Sequence, residues 1–171
     1  MSLPPPIYFI WDGDAMVPMA RFSRLAESSF TSGQAYKMMV ADEASSQTRR
    51  HFFACVKEAW ANLPEALALE YATPEHLRKR ALILTGFCNE QVWVVPSNAE
   101  AVRTAAALRK LDEFAVVVVR ENTVRALTAK SQAGGKMGRA EFQRSKTSVL
   151  DYLAKLINTT PEALNEAGRA A

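Results

Sequence analysis

Apolar positions repeat with the period of an α-helix in two long segments. In residues 47–63, the apolar side chains fall within an arc of about 120° on a helical wheel; they are Phe52, Phe53, Val56, Ala59, Trp60 and Leu63. The pattern predicts a helix with Ser45 or Ser46 as N-cap and with Phe52, Phe53 and Trp60 in the core. A longer helix is predicted to follow residues 130–138 and to end near Ile157; its stripe contains Phe142, Val149, Leu150, Leu153, Leu156 and Ile157.

Shorter helices are predicted from start signals and from apolar spacing. Thr73-Pro74-Glu75 and Thr160-Pro161-Glu162 each provide an N-cap, a proline at the first helical position and an acidic first turn. Ser97 is the expected N-cap of a helix over 98–110, and residues 20–30 have the spacing of a short helix.

Strands are predicted at residues 7–11, 15–19, 34–41, 91–95, 114–119 and 123–129. The first two flank an Asp-Gly-Asp turn, and the last two flank Glu121-Asn122 as a hairpin. Residues 114–119 are apolar on both faces, which predicts a central strand. This mixture favours an α+β fold, with a mixed or antiparallel sheet and a β-hairpin near residues 114–129, packed by several helices including a long C-terminal one.

The length of 171 residues favours one domain over the whole chain. We expect residues 1–6, with three consecutive prolines, to be a flexible leader, and residues 159–171 to be a short terminal helix and tail. No apolar run approaches the roughly 20 residues of a membrane helix, so no membrane association is expected. The absence of a secretory signal and a content of only two cysteines favour a reducing, cytoplasmic location.

Charge is distributed unevenly along the chain. The whole chain carries +3, whereas residues 120–150 alone carry +5, from seven Lys or Arg and two Glu. Further concentrations occur at residues 49–51 and 78–80. Such asymmetry indicates one basic surface, for which nucleic acid is the usual partner. The alternative is a set of solvated helix faces that bind nothing.

Enzyme motifs are largely missing. The sequence contains no dinucleotide-binding glycine pattern, no P-loop and no nucleophile elbow. His51 and Cys55 lie one helical turn apart, but a structural zinc site needs four ligands, and Cys55 follows an apolar run typical of a buried residue. A nuclease would need a cluster of carboxylates, for which the candidates are Asp12, Asp14, Asp42 and Glu43. Acidic residues in turns more commonly serve to form the turn. We therefore predict no catalytic residue, metal or cofactor, with a nuclease as a minor alternative.

Candidate nucleic-acid contacts come from the basic segments, because phosphates need hydrogen-bond donors. The loop near Gly134 and Gly135 is expected to be a mobile flap that closes over a strand. Lys146 lies on the apolar stripe of the long helix, which predicts that the N-terminal end of this helix leaves the core; the alternative is a lysine that snorkels without function. The predicted contacts are Arg49, Arg50, Lys57, Lys130, Ser131, Gln132, Lys136, Arg139 and Lys146.

Two blocks of the sequence resemble known proteins. They are Ser45-Ser46-Gln47-Thr48-Arg49-Arg50-His51-Phe52-Phe53-Ala54-Cys55 and Lys136-Met137-Gly138-Arg139-Ala140-Glu141-Phe142. Together they resemble a family of uncharacterised phage and prophage proteins and, more distantly, the NinB-like recombination proteins of lambdoid phages. In the distant comparison the matching positions are Arg50, Phe53, Lys136, Met137, Glu141 and Phe142.

The nearer resemblance implies a phage origin and hence the cytoplasm of a bacterial host. The distant one implies a homodimer that binds single-stranded DNA and helps a host recombination protein to load; neither implies a catalytic residue. The expected function is therefore binding of single-stranded DNA, or of another nucleic acid, in recombination or replication. The alternative is a small phage protein that acts on a host protein and binds no nucleic acid.

Overall fold

The computed structural model describes residues 7–38, 45–133 and 136–170. Contacts within the chain divide it into two compact units, Met1–Val40 and Ala41–Ala171. The prediction of one domain over the whole chain stays a prediction. Residues 1–6, expected to be a leader, lie outside the described residues.

The first unit is built on a small hairpin, as predicted. Strand β1 (Phe9–Trp11) pairs antiparallel with β2 (Met16–Pro18), and a 3₁₀ turn then leads into helix α1 (Ser23–Ser29). Asp12 closes the turn, since its Oδ1 accepts hydrogen bonds from the backbone N–H groups of Asp14 and Ala15. These bonds favour the ionised carboxylate and lower the pKa of Asp12.

The strand predicted at residues 34–41 is wrong where the structure describes it. Residues 34–38 follow a turn at Gly33, whose φ of 80° suits glycine, and they belong to neither sheet. Tyr36 instead packs its ring against Phe30, with centroids 4.9 Å apart. Residues 39–41 lie outside the described residues.

Helices form the larger core of the second unit. Their bounds are α2 Ser46–Ala61, α3 Glu65–Ala68, α4 Pro74–Leu84, α6 Arg139–Leu156 and α7 Pro161–Ala170. The predicted caps of α2 and α4 are confirmed: the Ser45 and Thr73 side chains accept from the N–H groups of Thr48 and His76. The core between the helices includes Phe52, Val56, Leu77, Leu82, Phe142 and Leu153, each at most 1% exposed.

The second unit also contains an antiparallel sheet of three strands. These are β3 Cys88–Val94, β4 Val116–Arg120 and β5 Thr123–Ala129, in the order β3-β5-β4. Helix α5 (Asn98–Leu111) packs Ala101 and Ala105 on one face of the sheet, against Val117, Val124 and Ala126. The structure is therefore an α+β fold with an antiparallel sheet, and the hairpin near residues 114–129 is confirmed.

The prediction that residues 114–119 form the central strand is wrong. β5 is central, because β3 pairs with β5 rather than with β4. Val118 lies on the face opposite α5 and is 42% exposed, so the apolar run of β4 does not mark a strand buried on both faces. No helix in the described part of the chain is long and apolar enough to cross a membrane.

Candidate nucleic-acid interface

An aromatic ring lies between two cations on the outer surface of α2. Arg50, Phe53 and Lys57 are spaced three and four residues apart, which places them on one helix face. Arg50 and Lys57 are exposed, and Phe53 is 44% exposed. We call these three residues the α2 stripe.

The prediction that Phe53 belongs to the core is wrong, while its neighbour Phe52 is fully buried as expected. The two side chains point about 100° apart on a helix, and Phe53 stands at the edge of the predicted apolar arc. The rings nevertheless touch, with centroids 5.6 Å apart. The Phe53 ring thus packs against Phe52 and is also exposed to solvent.

The α2 stripe borders a groove between α2 and the start of α4. The groove has a volume of about 340 Å³, and its walls are formed by Phe53, Val56, Lys57, Thr73, Pro74, Glu75 and Arg78. Its lining combines apolar side chains with the charged groups of Lys57, Glu75 and Arg78. A groove of this composition can hold a planar ring against Phe53 and a phosphate near Lys57.

Arg78 is the buried cation of this groove. It is 7% exposed, and its Cζ atom lies 5.4 Å from the centroid of the Phe53 ring. Its Nε and Nη2 atoms donate to the two carboxylate oxygens of Glu75 at 2.8 and 2.7 Å. These charge-assisted bonds lower the pKa of Glu75, and they meet the requirement that a buried charge be paired.

Sequence reasoning did not include Arg78 among the site residues, although a signal existed. Arg78 shares the apolar face of α4 with Leu77, Ala81 and Leu82, all fully buried. A cation on an apolar stripe was the reason for selecting Lys146, and the same criterion would have selected Arg78.

Gln132 holds the loop after β5 against α4 and α6. It is 3% exposed; its Oε1 accepts from Arg78 Nη1 at 2.5 Å, and its Nε2 donates to Ser145 Oγ at 2.9 Å. Both ends of the amide are therefore occupied within the protein. The expectation that Gln132 contacts a ligand directly does not fit this placement, because a ligand would have to displace Arg78 or Ser145.

Arg49 also has a structural position. Its Nη1 donates to the backbone carbonyl of Gln132, and its Cζ lies 4.9 Å from the centroid of the Phe142 ring. Arg49 therefore joins α2, the loop and the first turns of α6. Gln132 binds both Arg49 and Arg78, so these two arginines and the loop form one network beneath the α2 stripe.

The other predicted loop residues divide into paired and exposed ones. Lys130 forms an ion pair with Glu141 at 2.7 Å, which links the end of β5 to α6. Ser131, Lys136 and Arg139 are exposed, and Ser131 Oγ accepts from the N–H of Ala133 at 3.3 Å. Gly134 and Gly135, on which the expectation of a mobile flap rested, lie outside the described residues.

Lys146 does not mark a point where α6 leaves the core. Phe142 and Ser145, near the N-terminal end of α6, are fully buried, so the prediction that this end projects from the body is wrong. Lys146 is half-buried and donates from Nζ to His51 Nδ1 at 3.2 Å. The lysine is accommodated on an apolar stripe because His51 on α2 accepts a hydrogen bond from its ammonium group.

The contacts of His51 define its tautomer. An ammonium group can only donate, so Nδ1 is the acceptor, and Nε2 carries the proton that is donated to the carbonyl of Asn165 on α7 at 3.0 Å. Cys55 lies 3.6 Å from His51 Nε2 and is fully buried. Burial raises the pKa of the Cys55 thiol, which keeps it protonated and unreactive.

The described residues contain no cluster of three His, Cys, Asp or Glu side chains that could hold a metal ion. Asp42 and Glu43, part of the carboxylate set considered for a nuclease, lie outside the described residues.

The predicted contacts thus form two sets. Arg49, Lys130, Gln132 and Lys146 bind other parts of the protein, whereas Arg50, Lys57, Ser131, Lys136 and Arg139 are exposed, and the four cations among these form no ion pair with another described residue. Comparison with models of known families, with curated proteins and with solved structures found no match.

Proposed function

We propose that this protein binds single-stranded DNA without enzymatic turnover, with the α2 stripe and the adjacent groove as the contact surface. The observation that carries the proposal is the exposed Phe53 ring between Arg50 and Lys57. A base can stack on such a ring while the flanking cations contact phosphates. A role in phage recombination or replication is the context that the sequence resemblance implies.

A single strand suits this surface better than a duplex. Bases in a duplex are already stacked on one another, so an aromatic side chain on a helix surface cannot reach their faces without unpairing them. In this proposal, the exposed cations of the loop and of α6, Lys136 and Arg139, contact further phosphates of a bound strand. Gln132, Arg78 and Arg49 hold these elements in place.

The test is a binding titration with labelled single-stranded and duplex oligonucleotides, comparing the natural protein with Phe53→Ala. Loss of one stacked base costs about 1–3 kcal/mol, which corresponds to roughly 5- to 150-fold weaker binding. The matched control is Leu111→Ala on α5, which removes a side chain that is 83% exposed. Equal affinity of Phe53→Ala and the natural protein, or stronger binding to the duplex, would contradict the proposal.

One observation favours the alternative function, binding to a host protein. The hairpin of the first unit exposes several large apolar side chains, each at least 44% accessible: Tyr8, Ile10, Trp11, Met16 and Val17. The strand register places Ile10 and Val17 on one face of the hairpin and Trp11 and Met16 on the other, so each face exposes an apolar pair, and exposed apolar surface is typical of protein interaction sites. Complete absence of oligonucleotide binding by the full chain would favour this alternative.

A further inference from the structure

The two edges of the three-stranded sheet differ in how they are protected. At the β4 edge, Arg109 reaches from α5 and donates to the carbonyl of Val117 at 2.9 Å. β3, from Cys88 to Val94, pairs with β5 on one side only, and no described strand pairs with its outer side. Natural proteins usually block such an edge with proline, lysine, a bulge or a covering element.

The backbone of β3 presents a regular row of free hydrogen-bonding groups. Val95 N–H donates to Asn122 on the β5 side, and Phe87 C=O accepts from Lys130, so odd-numbered residues of β3 face β5. The alternation of an antiparallel strand then directs the N–H and C=O groups of the even-numbered residues outward. These are Cys88, Glu90, Val92 and Val94.

The side chains on this edge do not protect it. The segment from Cys88 to Val94 contains no proline, glycine or lysine. Its single charge, Glu90, is paired with Arg125 of β5 at 2.6 Å. Val92 and Val94 are 54% and 73% exposed on the sheet face opposite α5. The edge is therefore both unsatisfied and partly apolar.

We propose that β3 pairs antiparallel with β3 of a second copy of this chain, centred on Gln91, to give a continuous six-stranded sheet. In this register every outward-facing residue is used: Cys88 lies opposite Val94, and Glu90 lies opposite Val92. The pairing also covers the two exposed valines. This inference is independent of the proposed nucleic-acid binding.

Charge selects this register among the symmetric ones. Centring the pair on Glu90 would place two carboxylates directly opposite each other, which is destabilising. Centring it on Gln91 keeps each Glu90 beside a valine and leaves its ion pair with Arg125 intact. Centring it on Val92 would leave the outward groups of Cys88 without partners.

The register is tested by cysteine crosslinking. Gln91 and its symmetry mate form a non-hydrogen-bonded pair, whose Cα atoms lie about 4.5 Å apart, within disulfide range. Gln91→Cys should therefore form a covalent dimer with diamide as oxidant. The control Asn89→Cys on the same strand face is separated from its mate by roughly 13 Å along the strand and should not. Both variants carry Cys88→Ser, so that the half-buried native thiol does not contribute.

Sedimentation equilibrium from about 1 µM to about 1 mM measures the association itself. Val92→Pro removes an outward N–H without breaking the ladder to β5 and should shift the protein to monomer, whereas Val92→Thr should not. A natural protein that stays monomeric over this range, or crosslinking of Asn89→Cys equal to that of Gln91→Cys, overturns the proposal. Circular dichroism checks folding of the proline variant; if it is unfolded, the two cysteine variants decide.

Discussion

Gln132 shows how one side chain can hold three elements together. Replacing it with leucine keeps the volume but leaves a donor of Arg78 and the hydroxyl of Ser145 without their amide partners in a buried site. We expect the free energy of unfolding to fall by about 1–3 kcal/mol, the cost of unsatisfied buried polar groups. Urea denaturation measures this change.

The neighbouring residue supplies the control. Ser131 is exposed, so Ser131→Ala should change stability by no more than about 0.5 kcal/mol. If Gln132→Leu and Ser131→Ala changed the free energy of unfolding equally, the buried amide of Gln132 would not be important for stability.

Glu75 gives stability a defined pH dependence. Its hydrogen bonds to Arg78 lower its pKa below the ordinary value of 4.5. A group with a lowered folded pKa stabilises the protein fully above its unfolded pKa, and this contribution is lost as pH falls through the folded pKa. Glu75→Gln should therefore be less stable than the natural protein at neutral pH, and the difference should shrink below about pH 4.5.

Urea denaturation at a series of pH values between about 3 and 7 measures this difference. The carboxylate is 45% exposed in its ion pair, so solvent screening reduces the size of the effect but not its sign. If the difference in stability between the natural protein and Glu75→Gln stayed constant across the pH series, Arg78 would not bind the ionised Glu75 more strongly than the protonated one.

At the scale of elements, α7 packs closely on α2 at Gly168. A Cβ atom added at Gly168 would lie 2.3 Å from Cys55 Sγ and 2.9 Å from the Cys55 backbone nitrogen. Backbone cannot yield as a flexible side chain can, so Gly168→Ala should force the helices apart. Overpacking of this kind costs about 1–3 kcal/mol.

Thermal unfolding checks this prediction, with the exposed position Glu166→Ala on the same helix as control. In a helix, alanine is normally more favourable than glycine by roughly 1 kcal/mol, so the difference in helix propensity alone would stabilise the protein. A higher melting temperature for Gly168→Ala would therefore show that the contact between α2 and α7 can relax.

Local signals predicted most of the elements. Ser45, Thr73 and Ser97 start their helices because each side chain accepts from an N–H group three residues ahead, a contact that depends only on nearby sequence. The order of strands depends on pairing between β3 and β5, which are separated by α5 and β4. Nothing in the local composition of β4 distinguishes an edge strand packed on one face from a central strand.

At the scale of the molecule, the charge distribution selected the basic segments as candidate contacts. It did not show which side chains in them are available to a ligand. Lys146 and Gln132 were predicted as contacts together with Lys136 and Arg139. In the structure, however, Lys146 is bound to His51. Gln132 is bound to Arg78 and Ser145. These partners are 54 to 95 residues away, except for Ser145. Long-range contacts of this kind follow from packing, which periodicity within one segment does not specify.

The division into exposed and internally bound cations changes which of them should determine how strongly binding to a single strand depends on salt. Each phosphate neutralised on a single strand contributes about 0.7 to the slope of log affinity against log salt. The double substitution of Lys136 and Arg139 by alanine removes two exposed cations near the network and should reduce the slope by up to about 1.4. Lys146→Ala, which removes a cation already bound to His51, should leave the slope unchanged.

The matched control is the double substitution of Lys110 and Lys155 by alanine, which removes the same charge from exposed positions on α5 and α6 that form no ion pair with another described residue. Fluorescence anisotropy with a labelled single strand at several salt concentrations gives the slopes. If the control pair lowers the slope as much as the Lys136 and Arg139 pair, binding responds only to net charge. If Lys146→Ala lowers the slope, the lysine leaves His51 for a phosphate on binding, and Lys146 belongs to the contact surface.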